Sequence, residues 1–400
     1  MASFESIYQA AVDKGEIDGA VLFARDVSGK FKYAKTFGER TLLSGERKAH
    51  EPSDILAVAS ATKLMTAIAA LQCVDDGLLS LSADVMPIAP ALAGKQVITS
   101  LDGDQFVYEP QASPITLEHL LTHSSGIGYA FLDPKLGKWQ AVNGPPPSER
   151  TTVETKVGYP LIYQPGECWS YGASYDWAGK LIERVSGRSL NDFMQHRIFS
   201  PLAIKDATFF PVTHEEMKAK MVNLNASDPE GRGLAVSGGM DSHGVATDNF
   251  GGHGLFMSGE DYMKVMFSLL ANDGKLLKPE TVDRIFQPHL TPEAEKSMQE
   301  IMAAPATNAF YAQGTGPDVK RNHGLAGLLV MEDLPGYHGA HTLAWGGGIN
   351  LTWFIDRKNG ICALGAPQLK MPPDVAAITR LKNDFRKGIY EVYGEWKRCQ

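Results

Sequence analysis

Strand-forming segments at both ends of the chain, with a long helical stretch between them, constrain the fold more than any other feature. Near the N-terminus, Ala20 to Arg25 and Phe31 to Thr36 are apolar, β-prone runs joined by DVSGK (26–30), a hairpin signal. Near the C-terminus, Leu351 to Ile355 and Ile361 to Leu364 repeat the pattern across DRKNG (356–360), whose Asn359-Gly360 suits a turn with positive φ. Amphipathic periodicity predicts a helix over 4–14, ended near Gly15, and another over 374–393. A sheet face and a helix stripe must each bury their apolar side against another layer. The simplest solution is an α/β (α+β) chain. An antiparallel sheet is built from both chain ends and flanked by helices, with a large, mostly helical domain inserted between them. The expected division is 1–85 plus 321–400 for the sheet domain and 86–320 for the helical one.

Within the insertion, DWAGKLIERVSG reads as a helix with Gly187 as its C-cap. GEDYMKVMFSLLANDG reads as a second, with Ser258 as N-cap and a close at Gly274. NGPPPSERTT (143–152) and NASDPEGRG (225–233) have loop composition. There is no internal repeat and no low-complexity tract.

Charge narrows the function classes. The 400 residues carry 38 Lys plus Arg against 46 Asp plus Glu, a net charge of −8, and no basic run. Such a chain is a poor partner for nucleic acid or an anionic membrane surface. No stretch approaches 18 apolar residues, and MASFESIYQAAVDKGE puts charges where a signal peptide needs an apolar core. The expectation is a cytoplasmic protein with reduced thiols. The four cysteines, Cys73, Cys168, Cys362 and Cys399, form no CxxC pair, so no zinc or redox site is signalled. His119 and His123, four apart, and His338 and His341, three apart, lack a third ligand and an HExxH context, which favours structural roles. No metal and no cofactor is expected. GxSxG, GxGxxG and GxxxxGK[ST] are all missing, leaving α/β-hydrolase, dinucleotide and P-loop readings without support.

The sharpest local feature is Ser60-Ala61-Thr62-Lys63 at the head of LMTAIAALQCVDDG. The run to Asp76 is apolar almost all round, as a buried helix is, and it ends at Gly77. Residues three apart share a helix face, about 5–6 Å between Cβ atoms. A lysine on such a helix is costly unless it is paired or used. Burial lowers its pKa, and the neutral amine can then take a proton from a serine hydroxyl. The N–H groups of a helix N-terminus suit an oxyanion. On these four letters alone, serine as a plain helix cap is the commoner reading. Two further segments bear on the choice. In Trp169-Ser170-Tyr171-Gly172-Ala173-Ser174, Tyr171 stands at a loop-to-helix junction, where a phenol can relay a proton or simply fill a turn. In Ala344-Trp345-Gly346-Gly347-Gly348-Ile349-Asn350, three glycines leading into a strand let the backbone approach a ligand, or make a bulge.

A serine-x-x-lysine, a mid-chain tyrosine motif and a late glycine-rich strand, in that order, resemble the serine β-lactamase and penicillin-binding-protein superfamily. LLTHSSGIG (120–128) and GGHGLFMSGEDYMKV (251–265) look like segments of its esterase-like branch. VASATKLMTAIAALQC, YGASYDWAGKLIERVSG, WGGGIN, DGKLLKPETVDRIFQP and DRKNGICAL are similar to those of the fungal acyltransferases of lovastatin biosynthesis. Val97 to Tyr108 and NGPPPSERTT have no such likeness. The resemblance implies a β-lactamase-like fold and a serine acyltransferase or esterase. Ser60 would be the acylated nucleophile, Lys63 its base, and Tyr171 the third catalytic group. The N–H groups of Ser60 and Gly348 would form the oxyanion hole, with Trp345, Gly346 and Gly347 contacting substrate. It also implies a small polyketide-like alcohol as acceptor. The donor would be an acyl ester or thioester, with an acyl-carrier protein as one source. Hydrolysis by the same residues, or a silent scaffold, are the alternatives. Ala173 and Trp345 replace the Asn and the Lys or His of penicillin-recognising relatives, which removes the cation that holds a substrate carboxylate.

Overall fold

The computed structural model describes residues 3–42, 44–103, 105–222, 247–348, 350–368 and 374–400. The chain opens with helix α1 (Phe4–Asp13), then strands β1 (Gly19–Asp26), β2 (Lys32–Thr41) and β3 (Arg47–Ala49). The middle holds β4 (Ile55–Ala57), helix α2 (Thr62–Asp75), β5 (Gln96–Asp102), β6 (Gln105–Pro110) and helix α3 (Ser174–Ser186). It continues with β7 (Ala207–Thr208), β8 (Phe256–Ser258) and helix α4 (Gly259–Ala271). The end supplies β9 (Arg321–His323), β10 (Leu328–Val330), β11 (Thr342–Gly347), β12 (Leu351–Asp356), β13 (Ile361–Gln368) and helix α5 (Val375–Arg398). Further helices, among them Pro134–Asn143 and Pro292–Ala303, and turns connect these.

The expected sheet from both chain ends is present. Its order is β3-β2-β1-β13-β12-β11-β10-β9, and each described pairing is antiparallel. The two ends meet at β1 and β13, in register from Gly19 opposite Gln368 to Asp26 opposite Ile361. The first hairpin turns where the Asp26 carboxylate accepts from the N–H groups of Ser28 and Phe31 and Gly29 takes a φ of +70°. One sheet face is covered by α1 and α5, through Phe4, Tyr8, Leu381, Phe385 and Ile389. Ser3 caps α1, and Asp374 caps α5 by accepting from the Ala377 N–H at 2.9 Å. The other face is covered by α4, with α2 beneath the helical layer. In α2 each residue from Thr62 to Cys73 is buried, because the helix is apolar on all sides and surrounded.

Several helix ends lie where the sequence puts them. Gly187 takes a φ of +67° beyond α3, and Ser258 caps α4. Helix α4 closes two residues before Gly274, at Asn272, which takes the left-handed conformation itself. Val97 to Tyr108, part of a stretch expected to be mostly helical, is instead the β5–β6 hairpin. Within 143–152, Pro147–Glu149 form a 3-10 turn and Thr152 caps a short helix. The 225–233 segment lies outside the described residues. The glycines of Trp345-Gly346-Gly347 end β11 rather than lead into the next strand, and Gly348 begins the turn to β12.

Candidate active site

Ser60 sits on a 3-10 turn, Ala59–Ala61, that runs straight into α2. The turn is held from three sides. Ala59 takes a φ of +44°, unusual for a residue with a Cβ. The Thr62 hydroxyl donates to the Ala59 carbonyl at 2.6 Å and accepts from the Leu255 N–H at 3.1 Å. The Tyr262 hydroxyl, from α4, donates to the Ala61 carbonyl at 2.9 Å. On the fourth side runs β11. A Cβ on Gly347 would lie 2.0 Å from the Val58 carbonyl oxygen, so only glycine lets this strand pass so close to the serine turn. Gly348 follows with a φ of +56°.

The serine makes no helix-capping bond. Its hydroxyl instead accepts from the Tyr171 hydroxyl at 2.5 Å. Lys63 Nζ, one turn along α2, donates to Tyr171 Oη at 2.9 Å, to the Gly252 carbonyl at 2.7 Å and to Tyr129 Oη at 3.4 Å. Tyr171, more than a hundred residues away in sequence, thus joins Ser60 and Lys63 in one hydrogen-bonded chain. Burial pushes the Lys63 amine down to about 7, against the opposing pull of the Asp176 carboxylate. The Tyr171 phenol is pushed up, by burial first, while its contacts with Ser60 and Trp345 favour the ionised form. The arrangement lines up a serine oxygen, a phenol and a buried amine whose pKa burial lowers to about 7.

The walls are aromatic. Around the Tyr171 ring lie His123, Tyr129, Trp345 and Tyr311, with centroids at 4.9, 5.3, 5.2 and 5.8 Å. Two of these carry the surface outward. Tyr129 stacks on Phe131, and Tyr311 packs against Phe310; the two phenylalanines are 59% and 47% exposed. His123 and His323 both face Trp345, and burial holds both imidazoles neutral at ordinary pH.

Of the candidates read from sequence, Ser60 falls on one turn, Lys63 on α2, Tyr171 on the loop before α3, and Trp345, Gly346, Gly347 and Gly348 at the end of β11. The two histidine pairs are split. His119 closes the capping box of a short helix. His123, expected to be structural at a helix end, lies against Tyr171. His338 hydrogen-bonds Tyr390 of α5, and His341 the Phe286 carbonyl. Among the described residues there is no group of three or more His, Cys, Asp or Glu side chains fit to hold a metal. No described helix is long and apolar enough to cross a membrane. The sequence reading did not single out Tyr129, Tyr311, Asp176 or Gly252. The last two lie inside strings quoted for resemblance, DWAGKL and GGHGLF, and that was the available signal.

An antiparallel sheet closed by both termini, with a serine-x-x-lysine helix beside its glycine-ended strand, defines a serine enzyme of the acyl-transferring and ester-cleaving kind. The chain belongs to the β-lactamase family, whose profile matches residues 4–383. It is 52% identical to the lovastatin esterase of Penicillium rubens over 99% of this chain and 100% of the relative. It is 37% identical to the monacolin J acid methylbutanoyltransferase of Aspergillus terreus, over 97% and 95% respectively. Unliganded simvastatin synthase from Aspergillus terreus superposes with a TM-score of 0.87 at 35% identity, covering 98% of each chain.

Proposed function

We propose that this enzyme moves an acyl group from an ester or thioester donor, through an acyl-Ser60 intermediate, to the hydroxyl of a small polyketide-like acceptor. The observation that carries the reading is the hydrogen-bonded chain from Ser60 Oγ through Tyr171 Oη to Lys63 Nζ. With Lys63 neutral, the Ser60 proton moves by way of Tyr171 to the amine as Oγ bonds to the donor carbonyl carbon. The tetrahedral oxyanion is held by the N–H groups of Ser60 and Gly348. Collapse breaks the bond to the leaving alcohol or thiol, which takes the proton back. The acceptor hydroxyl then repeats the sequence in reverse and frees Ser60. Trp345, Gly346 and Gly347 line the donor's path. The apolar lip of Phe131 and Phe310 suits a hydrophobic acceptor. A carrier-protein thioester is one donor that fits the acyltransferase likeness.

A second reading has water as the final acceptor. The 52% identity to a lovastatin esterase favours it. Ser60, Lys63 and Tyr171 serve both. The deciding experiment is intact-protein mass after incubation with a butyryl thioester and, separately, with lovastatin, followed by an apolar alcohol. An adduct on the Ser60 peptide, absent in Ser60→Ala, supports the acyl-enzyme. The ratio of transferred to hydrolysed product separates the two readings. An adduct on Ser124, Ser125 or Ser174 would overturn the assignment.

A further inference from the structure

Asp176 lies in the first turn of α3, is wholly buried, and is the carboxylate nearest in effect to Lys63. A buried carboxylate is costly unless it is hydrogen-bonded or faces a compensating charge. Here Oδ1 accepts from the Gly252 N–H at 2.8 Å, and Oδ2 has no hydrogen-bond partner. The other main-chain group of Gly252, its carbonyl, accepts from Lys63 Nζ at 2.7 Å. Aspartate and amine therefore grip opposite sides of one residue. The strap around it is tightly fitted. The Thr66 hydroxyl, from α2, donates to the Gly251 carbonyl at 2.7 Å. A Cβ on Gly251 would meet the Tyr175 carbonyl oxygen at 2.7 Å, and one on Gly252 would meet both Asp176 oxygens at 2.9 Å. The two glycines are what lets the strap thread between α2 and α3.

We propose that Asp176 is a positioning residue for Lys63: through Gly252 it fixes where the amine points, and its charge favours the ammonium form of that amine. The inference rests on the reading of Lys63 as that base. The Tyr171 proton can pass to Lys63 only if the Nζ lone pair faces Oη. The Gly252 carbonyl supplies the anchor that orients the amine, and Asp176 keeps that carbonyl in place. A negative charge nearby favours the ammonium form, so Asp176 opposes the effect of burial and keeps the amine from becoming too weak a base. Around the pair, the ionisable groups are Tyr129, Tyr159, Tyr171 and Tyr175, with Lys156, His123 and His253. The His253 Nδ1 is 3.6 Å from Asp176 Oδ1. Burial holds the four phenols protonated and His123 neutral, and Lys156 acts on Asp176 as a second cation.

The test separates the charge from the grip. Asp176→Asn keeps an oxygen for the Gly252 N–H and removes the charge. Asp176→Ala removes both. For each, and for Lys63→Ala, the pH profile of kcat/KM is measured on p-nitrophenyl butyrate. Asp176→Asn is expected to move the acid limb down by about one pH unit, with a lower plateau. Asp176→Ala is expected to lose at least about tenfold in kcat at every pH with KM little changed. Gly252→Ala, whose Cβ must displace the carboxylate, covers the case in which an Asp176 variant does not fold. It should lower kcat while leaving the acid limb in place. An Asp176→Asn limb that coincides with wild type, or Gly252→Ala with wild-type kcat, overturns the inference. Retained activity in Lys63→Ala would instead overturn the reading of Lys63 as the base.

Discussion

At the scale of single residues, the central fact is a phenol placed between a serine and a buried amine. Tyr171→Phe keeps the ring among its four aromatic neighbours and removes only the relay. Its activity on esters should fall by about 10²–10⁴-fold, in line with general acid–base contributions, with little change in Tm. Lys63→Met should be as inactive as Ser60→Ala, since groups acting as a unit do not add. The sign of its stability effect follows from the lowered Lys63 pKa. The unfolded chain binds a proton that the folded one sheds between about pH 7 and 10.5. The native amine's contribution therefore improves as pH rises through that window and is worst below it. Thermal melts at pH 6 and pH 9 should show Lys63→Met gaining more, relative to wild type, at the lower pH. Farther out, Phe131→Ala and Phe310→Ala remove the exposed rings of the lip. Each should raise KM for an apolar acceptor several-fold and leave Ser60 acylation by a small activated ester unchanged, as read by single-turnover kinetics. Ser60, Lys63 and Tyr171 were legible because each stands in a short string with its own chemical logic. Asp176 was not. A carboxylate in the first turn of a helix reads as a solvated residue favourable to the dipole, and only tertiary packing buries it.

At the scale of elements, the site depends on one close approach. Gly347→Ala would drive a methyl group into the Val58 carbonyl, separating β11 from the serine turn. Activity should drop by at least about tenfold and Tm should fall, as measured by ester hydrolysis and thermal melting. Gly187→Ala, beyond α3 with open space around it, should cost only about 1 kcal/mol, through its positive φ, and leave activity intact. Elements with strong periodicity and clear punctuation, such as α1, α3, α5 and the two terminal hairpins, could be read directly. The β5–β6 hairpin could not. It is largely exposed on both faces and bulged between Ile98 and Ser100, so the alternation that marks a half-buried strand is weak. The triple-glycine segment was identified but its direction misread. What decides that glycine ends the strand is contact with the Val58 turn, nearly three hundred residues away in sequence.

At the scale of the whole molecule, the helical layer and the sheet meet at Ser60, where the surrounding side chains are largely aromatic. By the resemblance, Trp345 falls at the position where penicillin-recognising relatives carry a cation, and burial keeps the flanking His123 and His323 neutral. A carboxylate entering there is desolvated without a partner. A chromogenic cephalosporin should be turned over at least about a hundredfold more slowly than a matched butyryl thioester. Efficient cephalosporin hydrolysis without thioester reaction would contradict this view of Trp345 and Ala173. The closure of the sheet by β1 and β13 carries a separate consequence, one that concerns time. The serine turn is synthesised early, but the strand that completes its surroundings and the partner of β1 are among the last segments to be made. Contacts of such long sequence separation are slow to form, because a large loop must close before any pairing stabilises it. A chain that still lacks its last segments therefore carries the serine turn without β11 packed beside it. The turn that holds Ser60 thus gains its last wall only when β11 and β13 have docked, late in the order of synthesis.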